Sequence, residues 1–140
     1  MIAAKELMNT SVITIARDED IYEAVRTMAL NNITGLPVVD EDGTLVGIIT
    51  EKDVLTLLCE QEDAPGKVAD FMTTDVVCFQ QDNSIGEIAE SFRQNHFRRV
   101  PILDDGKLVG IISRRDIIRY MRDLRHEDEV LRDSILELLY

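Results

Sequence analysis

Apolar positions along this chain follow two alternating periods, and the alternation occurs twice. Short β-rich runs, Val12-Ile13-Thr14-Ile15 and Val76-Val77-Cys78-Phe79, each lead into a stretch whose apolar residues fall at helical spacing. One stripe is Ile21, Ala24, Val25, Met28 and Ala29; the other is Ile85, Ile88, Ala89 and Phe92. Asp20 with Glu23 and Ser84 with Glu87 have capping-box spacing, which predicts where both helices begin. Leu36-Pro37-Val38-Val39 and Val100-Pro101-Ile102-Leu103 come next, and their prolines predict edge or irregular strands because proline donates nothing to a ladder. The turns Asp40-Glu41-Asp42-Gly43 and Asp104-Asp105-Gly106 then return the chain into Leu45–Ile49 and Leu108–Ile112, before a second helix. The order is β-α-β-β-α, twice, an α+β fold.

Direct self-comparison makes the duplication explicit. At an offset of 64, Met8–Ile13 falls on Met72–Val77; after one deletion at Asp42, Gly43–Asp53 falls on Gly106–Asp116 at an offset of 63. The units run 5–58 and 67–121, joined by the polar, turn-rich 59–66 and followed by a C-terminal amphipathic helical extension, 122–140. A unit of about 55 residues has too small a core to stand alone, so the copies are expected to pack with pseudo-two-fold symmetry and unfold together.

Composition narrows the function. The chain has 140 residues and a net charge of −12, which excludes general nucleic-acid binding; that binding needs a basic face. The charge is uneven: residues 1–92 hold 5 Lys/Arg against 18 Asp/Glu, and residues 93–140 hold 10 against 9, so an anion site should draw its cations from the second half. No stretch reaches the roughly 20 apolar residues of a membrane span. The opening residues lack a secretory apolar core, so the expected location is cytoplasmic. Cys59 and Cys78 lie in apolar runs and read as small buried hydrophobes rather than a disulfide or metal pair.

Two hydroxyl residues, Thr50 and Ser113, end strands at helix starts, with Asp53 and Asp116 one turn in. Free N–H groups and the positive helix end favour phosphate there, and the aspartate can accept from a ribose diol. The same spacing is also that of an ordinary helix N-cap with a first-turn carboxylate.

Leu36–Asp40 with Gly47–Val54, and Val100–Asp104 with Gly110–Ile117, resemble the tandem cystathionine-β-synthase-type (CBS) repeat, or Bateman module, over about residues 5–121. The resemblance implies a regulatory module with two clefts for an adenosine-containing ligand: AMP, ADP, ATP or S-adenosylmethionine, with Mg2+ as an optional companion and no required cofactor. It also implies crossed clefts, each built from one repeat's motif and the other's first strand and pre-proline segment. One would gather Ser113, Asp116, Ile111 and Arg115 with Ser11, Ala16, Ile33 and Thr34. The other would gather Thr50, Asp53, Ile48 and Lys52 with Asp75, Gln80, Phe97 and Arg98. Arg98-Arg99 stand where the first repeat has Thr34-Gly35, so two unequal sites are expected, the Thr50 site taking the more negative ligand.

Nothing in the sequence resembles a phosphate loop, nucleophile elbow or paired-histidine metal motif, and His96 and His126 read as ordinary histidines, so an enzyme is not expected. Leu131, Ile135, Leu138 and Leu139 give the C-terminal extension one apolar face, suited to self-packing or dimer contact rather than to a membrane. Expected partners are therefore the small ligand, a second copy of the chain and a regulated protein. The alternative is a ligand-free interaction or dimerisation module.

Overall fold

A computed structural model describes residues 1–60 and 66–139; most of the expected linker, 61–65, and Tyr140 lie outside the described residues. Two three-stranded sheets form. The first contains β1 (Ile15–Ala16), β2 (Gly35–Val39) and β3 (Leu45–Thr50) in that order, and the second contains β4 (Phe79–Gln80), β5 (Arg99–Asp104) and β6 (Lys107–Ser113). The first strand of each is parallel to the second, and the second and third form an antiparallel hairpin. Helices α1 (Ile21–Asn31) and α4 (Ile85–Gln94) connect the first two strands of each sheet. α2 (Glu51–Glu60) and α5 (Arg114–Leu139) follow the hairpins, and a one-turn α3 (Val68–Phe71) opens the second repeat.

Several local expectations need correction. The opening strands are two residues long and begin at Ile15 and Phe79, so Val12–Thr14 and Val76–Cys78 remain irregular. Only half of each capping box forms. Asp20 accepts from the Tyr22 N–H at 2.8 Å and Ser84 Oγ from the Glu87 N–H at 3.3 Å, but Glu23 turns to Arg26 and Glu87 accepts from Asn83 instead. Ala29 is exposed, since α1 buries only the narrower stripe Ile21, Ala24 and Met28. Cys59 is exposed, and half-buried Cys78 has its thiol pushed up by burial.

Pro37 and Pro101 lie in the central strands, not at edges, and are fully buried. Ile48, opposite Pro37, exchanges both its backbone bonds with Thr73; Ile111, opposite Pro101, does so with Asn9. Each proline therefore occupies a pair without ladder bonds to its hairpin partner, and its missing donor faces the side where the two-residue first strand has not yet begun.

The same bonds reveal how the repeats are joined. Residues 2–9 of the first repeat lie on the second: Ala4 N–H donates to Asn83 O, Lys5 N–H to Gln81 O, and Asn9 pairs with Ile111. Residues 66–73 lie on the first in the equivalent way, with Val68 N–H to Glu19 O, Ala69 N–H to Arg17 O, and Thr73 paired with Ile48. Ala4 is completely buried in one core with Ile85, Ile88, Phe92, Val100, Ile102, Ile112 and Ile117. Val68 is completely buried in the other with Ile15, Ile21, Ala24, Met28, Leu36, Val38 and Ile49. There are thus two cores, each completed by the opposite repeat's leading segment.

Gly47 and Gly110 owe their identity to this exchange. A Cβ at Gly47 would sit 2.8 Å from Met72 Sδ and 2.9 Å from Thr73 O; at Gly110 it would sit 2.5 Å from Met8 Sδ. The hairpin tips also meet, Leu45 N–H donating to Gly106 O and Leu108 N–H to Gly43 O. The second hairpin closes through Asp105 and Gly106, both at positive φ as in a type I′ turn, whereas the first needs a longer loop, which accounts for the one-residue change of offset.

Gly47→Ala should lower stability by about 1–3 kcal/mol, because the blocking Thr73 oxygen is backbone. Gly86→Ala meets only the mobile end of Met1 and gains helix propensity, so it should be neutral or stabilising by up to about 1 kcal/mol. Urea unfolding of both variants checks this, and each should retain a single transition reported alike by probes in either repeat.

Candidate functional site

The strand-to-helix junctions at Thr50 and Ser113 have no intervening loop. Asp53 Oδ2 accepts from both the N–H and the hydroxyl of Thr50 at 2.9 Å. Asp116 Oδ2 accepts from the Ser113 N–H at 2.8 Å, while the Asp116 N–H donates to Ser113 Oγ at 3.2 Å. The next N–H at each junction is also taken, Glu51 by Thr34 O and Arg114 by Arg98 O. The Ser113–Asp116 pair is thus a complete capping box and the Thr50–Asp53 pair half of one, with two of the four N–H groups at the Thr50 junction taken and three of the four at Ser113. Capping and ligand binding remain compatible, since a carboxylate offers about four lone-pair sites. Asp53 Oδ1 accepts no hydrogen bond among the described residues, and Asp116 Oδ1 faces Arg119 at 3.4 Å.

Thr50 opens onto a cavity of about 530 Å³ lined by both repeats. The first contributes Thr34, Gly35, Ile48, Thr50, Glu51 and Lys52, and the second His96, Phe97, Arg98 and Arg99. Arg99 is central: its guanidinium donates to Thr34 Oγ1 at 2.9 Å across the two repeats. Burial, then the neighbouring Arg98 charge, push Arg99 below the ordinary arginine value, while Asp116 and Glu51 oppose the shift. A cation held this way gains from any anion that comes to it.

A second cavity, also about 530 Å³, belongs to the second repeat alone: His96, Arg98, Arg99, Ser113, Arg114 and Arg115. His96, Arg98 and Arg99 line both. The two spaces adjoin across a shared basic wall, an arrangement the first repeat cannot copy because it carries Gly35 and Glu51 where the second has Arg99 and Arg114. Arg114 itself is structural. It donates to the carbonyls of Phe92 at 2.8 Å, Phe97 at 3.0 Å and Asn95, stacks over the Phe92 ring and so fixes the α4–β5 turn that presents Phe97. Phe97 is further held edge-on by Phe92, with centroids 5.8 Å apart.

The other anticipated residues lie elsewhere. Asp75 and Gln80 are exposed and line neither cavity. Ile33 packs against the first core, Ser11 is exposed and Ile111 is engaged with Asn9. Ala16 borders a third cavity of about 500 Å³ with Arg17, Asp18 and Val39–Asp42. The reason is register: β1 and β4 pair with Val38–Val39 and Ile102–Leu103, the far ends of β2 and β5 from Thr34 and Arg98. Thr34, expected beside Ser113, instead lines the Thr50 cleft. His96, Gly35 and Glu51 were not anticipated; their adjacency to Phe97, Thr34 and Thr50 was the available signal. No cluster of three or more His, Cys, Asp or Glu residues suited to a metal occurs among the described residues. No described helix is long and apolar enough to cross a membrane.

With this geometry in place, the profile of the CBS domain family matches residues 4–60 and 68–123. Two curated relatives come from Methanocaldococcus jannaschii. The protein MJ1225 is 34% identical over 117 residues, covering 84% of this chain and 42% of that protein. An inosine-5'-monophosphate dehydrogenase is 44% identical over 117 residues, covering 83% of this chain and 23% of the enzyme. This chain thus spans less than half of either relative. Among solved structures, CBSX2 in complex with AMP matches with a TM-score of 0.82 and 26% identity over 89% of this chain and 99% of that one. The CBS domain pair of MJ0100, in complex with 5'-methylthioadenosine and S-adenosylmethionine, matches with a TM-score of 0.76 and 30% identity over 88% and 98%.

Removing the Arg114 head with Arg114→Met leaves three backbone carbonyls without their charged donor and should cost about 1.5–3 kcal/mol. The equivalent exposed Glu51→Gln should stay within about 0.5 kcal/mol. Urea midpoints of the two variants measure the difference.

Proposed function

Because this chain belongs to the CBS-domain family and comprises one tandem pair, we propose that it is a regulatory, non-catalytic module whose Thr50 cleft binds an adenine nucleotide. The observation that carries this reading is the crossed lining: Thr50 and Lys52 from one repeat face His96, Arg98 and Arg99 from the other around Ile48 and Phe97. Phe97 and Ile48 supply apolar surface for the base, and the free oxygen of Asp53 accepts from the ribose. Arg98, Arg99 and Lys52 take the phosphates. With the Thr50 and Glu51 N–H groups already bonded, phosphate affinity comes chiefly from these side chains, and guanidinium forks reward each added phosphate oxygen.

Two ligand types are thereby separated. ADP or ATP, with or without Mg2+, suits the basic wall, whereas the cationic sulfonium of S-adenosylmethionine gains nothing from it. Relatives that bind AMP and S-adenosylmethionine support the adenosine part of this reading. The second cavity, with Ser113 and Arg115, is a weaker anion site because no residue of the first repeat encloses it. Occupancy would act on a regulated protein or on a second copy through the packing of the repeats, which a ligand shifts only by its differential affinity, typically ~1–3 kcal/mol.

Thermal shift and calorimetry with AMP, ADP, ATP and S-adenosylmethionine provide the test. A ligand at a hundredfold its Kd should add about 2.7 kcal/mol of stability. ATP should bind tighter than S-adenosylmethionine, and Arg98→Ala should weaken ATP about 10- to 100-fold while changing S-adenosylmethionine little. Absence of any shift at millimolar nucleotide would refute the reading in favour of a ligand-free interaction module, and unchanged ATP affinity in Arg98→Ala would refute the phosphate assignment.

A further inference from the structure

α5 leaves the body of the protein after Tyr120, and from Met121 onward every side chain described on it is exposed. Its apolar residues are nevertheless in strict order. Positions 117, 121, 124, 128, 131, 135 and 138 alternate in steps of four and three, and they hold Ile, Met, Leu, Asp, Leu, Ile and Leu. That is a heptad seam in which Met121, Asp128 and Ile135 take a positions and Leu124, Leu131 and Leu138 take d positions. Ile117 starts the stripe inside the second core, and Met121, Leu124, Ile135 and Leu138 carry it into solvent at 59%, 43%, 48% and 87% exposure. Ile118, Val130, Leu136 and Leu139 are the aliphatic residues of α5 off the seam. Most helical stability comes from packing an amphipathic face, and an exposed apolar stripe calls for a partner.

We infer that the partner is a second copy of this chain, joined through α5 in a parallel two-stranded coiled coil. Charge selects both the copy and its direction. In parallel register, Glu127 at g meets Arg132 at e of the second copy, and two-fold symmetry makes that attraction twice. Antiparallel pairing would instead bring e to e and g to g, setting arginine against arginine at 125 and 132 and glutamate against glutamate at 127. Asp128 is the polar a residue; it weakens the seam through like charge but fixes its register, since any slip would bury a carboxylate against an aliphatic layer. The dimer holds the two modules at the same end of the coil, and it forms without nucleotide.

Sedimentation velocity of the full chain without nucleotide tests this. The wild type is expected to be a dimer at about 100 µM, well above the Kd of even a micromolar interface. Ile135→Glu should make it monomeric with the module's thermal transition retained. Glu127→Arg and Arg132→Glu should each weaken association severalfold, and the two reversals together should restore it. Asp128→Leu should tighten it by at least about tenfold. A monomeric wild type, a dimer unaffected by Ile135→Glu, or a double reversal that fails to recover would each overturn the proposal.

Discussion

The exchange of leading segments is the constraint on which the rest of the molecule depends. Neither repeat completes its own core. The first sheet closes only when Val68 and Phe71 arrive from the second repeat, and the second only when Ala4 and Leu7 arrive from the first. A conventional interface between two finished halves could slip or open, but a swapped core cannot do so without exposing its own interior. The distance between Thr50 and the Arg98-Arg99 pair is therefore set by core packing, and the cleft needs no large flat interface to hold it. Paired hairpin tips and the Arg99–Thr34 bond add polar links between the repeats at the two opposite ends of the hairpins.

Much of this was legible from residues whose effects are local. The β-α-β-β-α order, the helix starts at Asp20 and Ser84 and the turn at Asp105-Gly106 follow from patterning and capping that need only near neighbours. The exchange was not legible, because its carriers, the 3-10 turn Ala4–Glu6 and α3, are too short to show a period, and Met8 and Met72 look identical whichever core they enter. Gly47 and Gly110 did hold a clue: a repeated glycine inside a strand signals a close approach, though not by what. The site divided along the same line. Ile48, Thr50, Lys52, Phe97 and Arg98 meet because they flank the junctions directly, while Asp75 and Gln80 depended on how far two-residue strands reach, which is a matter of register.

The near-symmetry of the repeats makes their differences informative. At the pre-proline position Gly35 leaves room and Arg99 fills it, so the cation enters from one side only. One residue into each second helix the contrast is Glu51 against Arg114. The glutamate leaves α1 to end on Asn32 in the left-handed region, whereas the arginine caps the end of α4 and stiffens the turn bearing Phe97. Two substitutions thus convert a symmetric scaffold into one basic wall shared by two cavities. The internal repeat supplies the frame, and divergence at its centre makes the two cavities unequal.

The equivalent helices α2 and α5 begin in the same way, yet α2 spans 10 residues and α5 spans 26. Ser113, Arg114 and Arg115 line the basic cavity at the start of α5, and Met121 opens its exposed stripe less than two turns later on the same unbroken helix. Within one helix, backbone hydrogen bonds resist relative rotation, so a ligand that reorients the first turn reorients the stripe with it. No long relay of side chains is required between the two. What limits such coupling is Arg114, whose carbonyl bonds clamp that first turn to α4. Any movement of α5 must carry the α4–β5 turn, and hence Phe97, along with it, so the Phe97 wall of the cleft and the exposed stripe of α5 share one hinge.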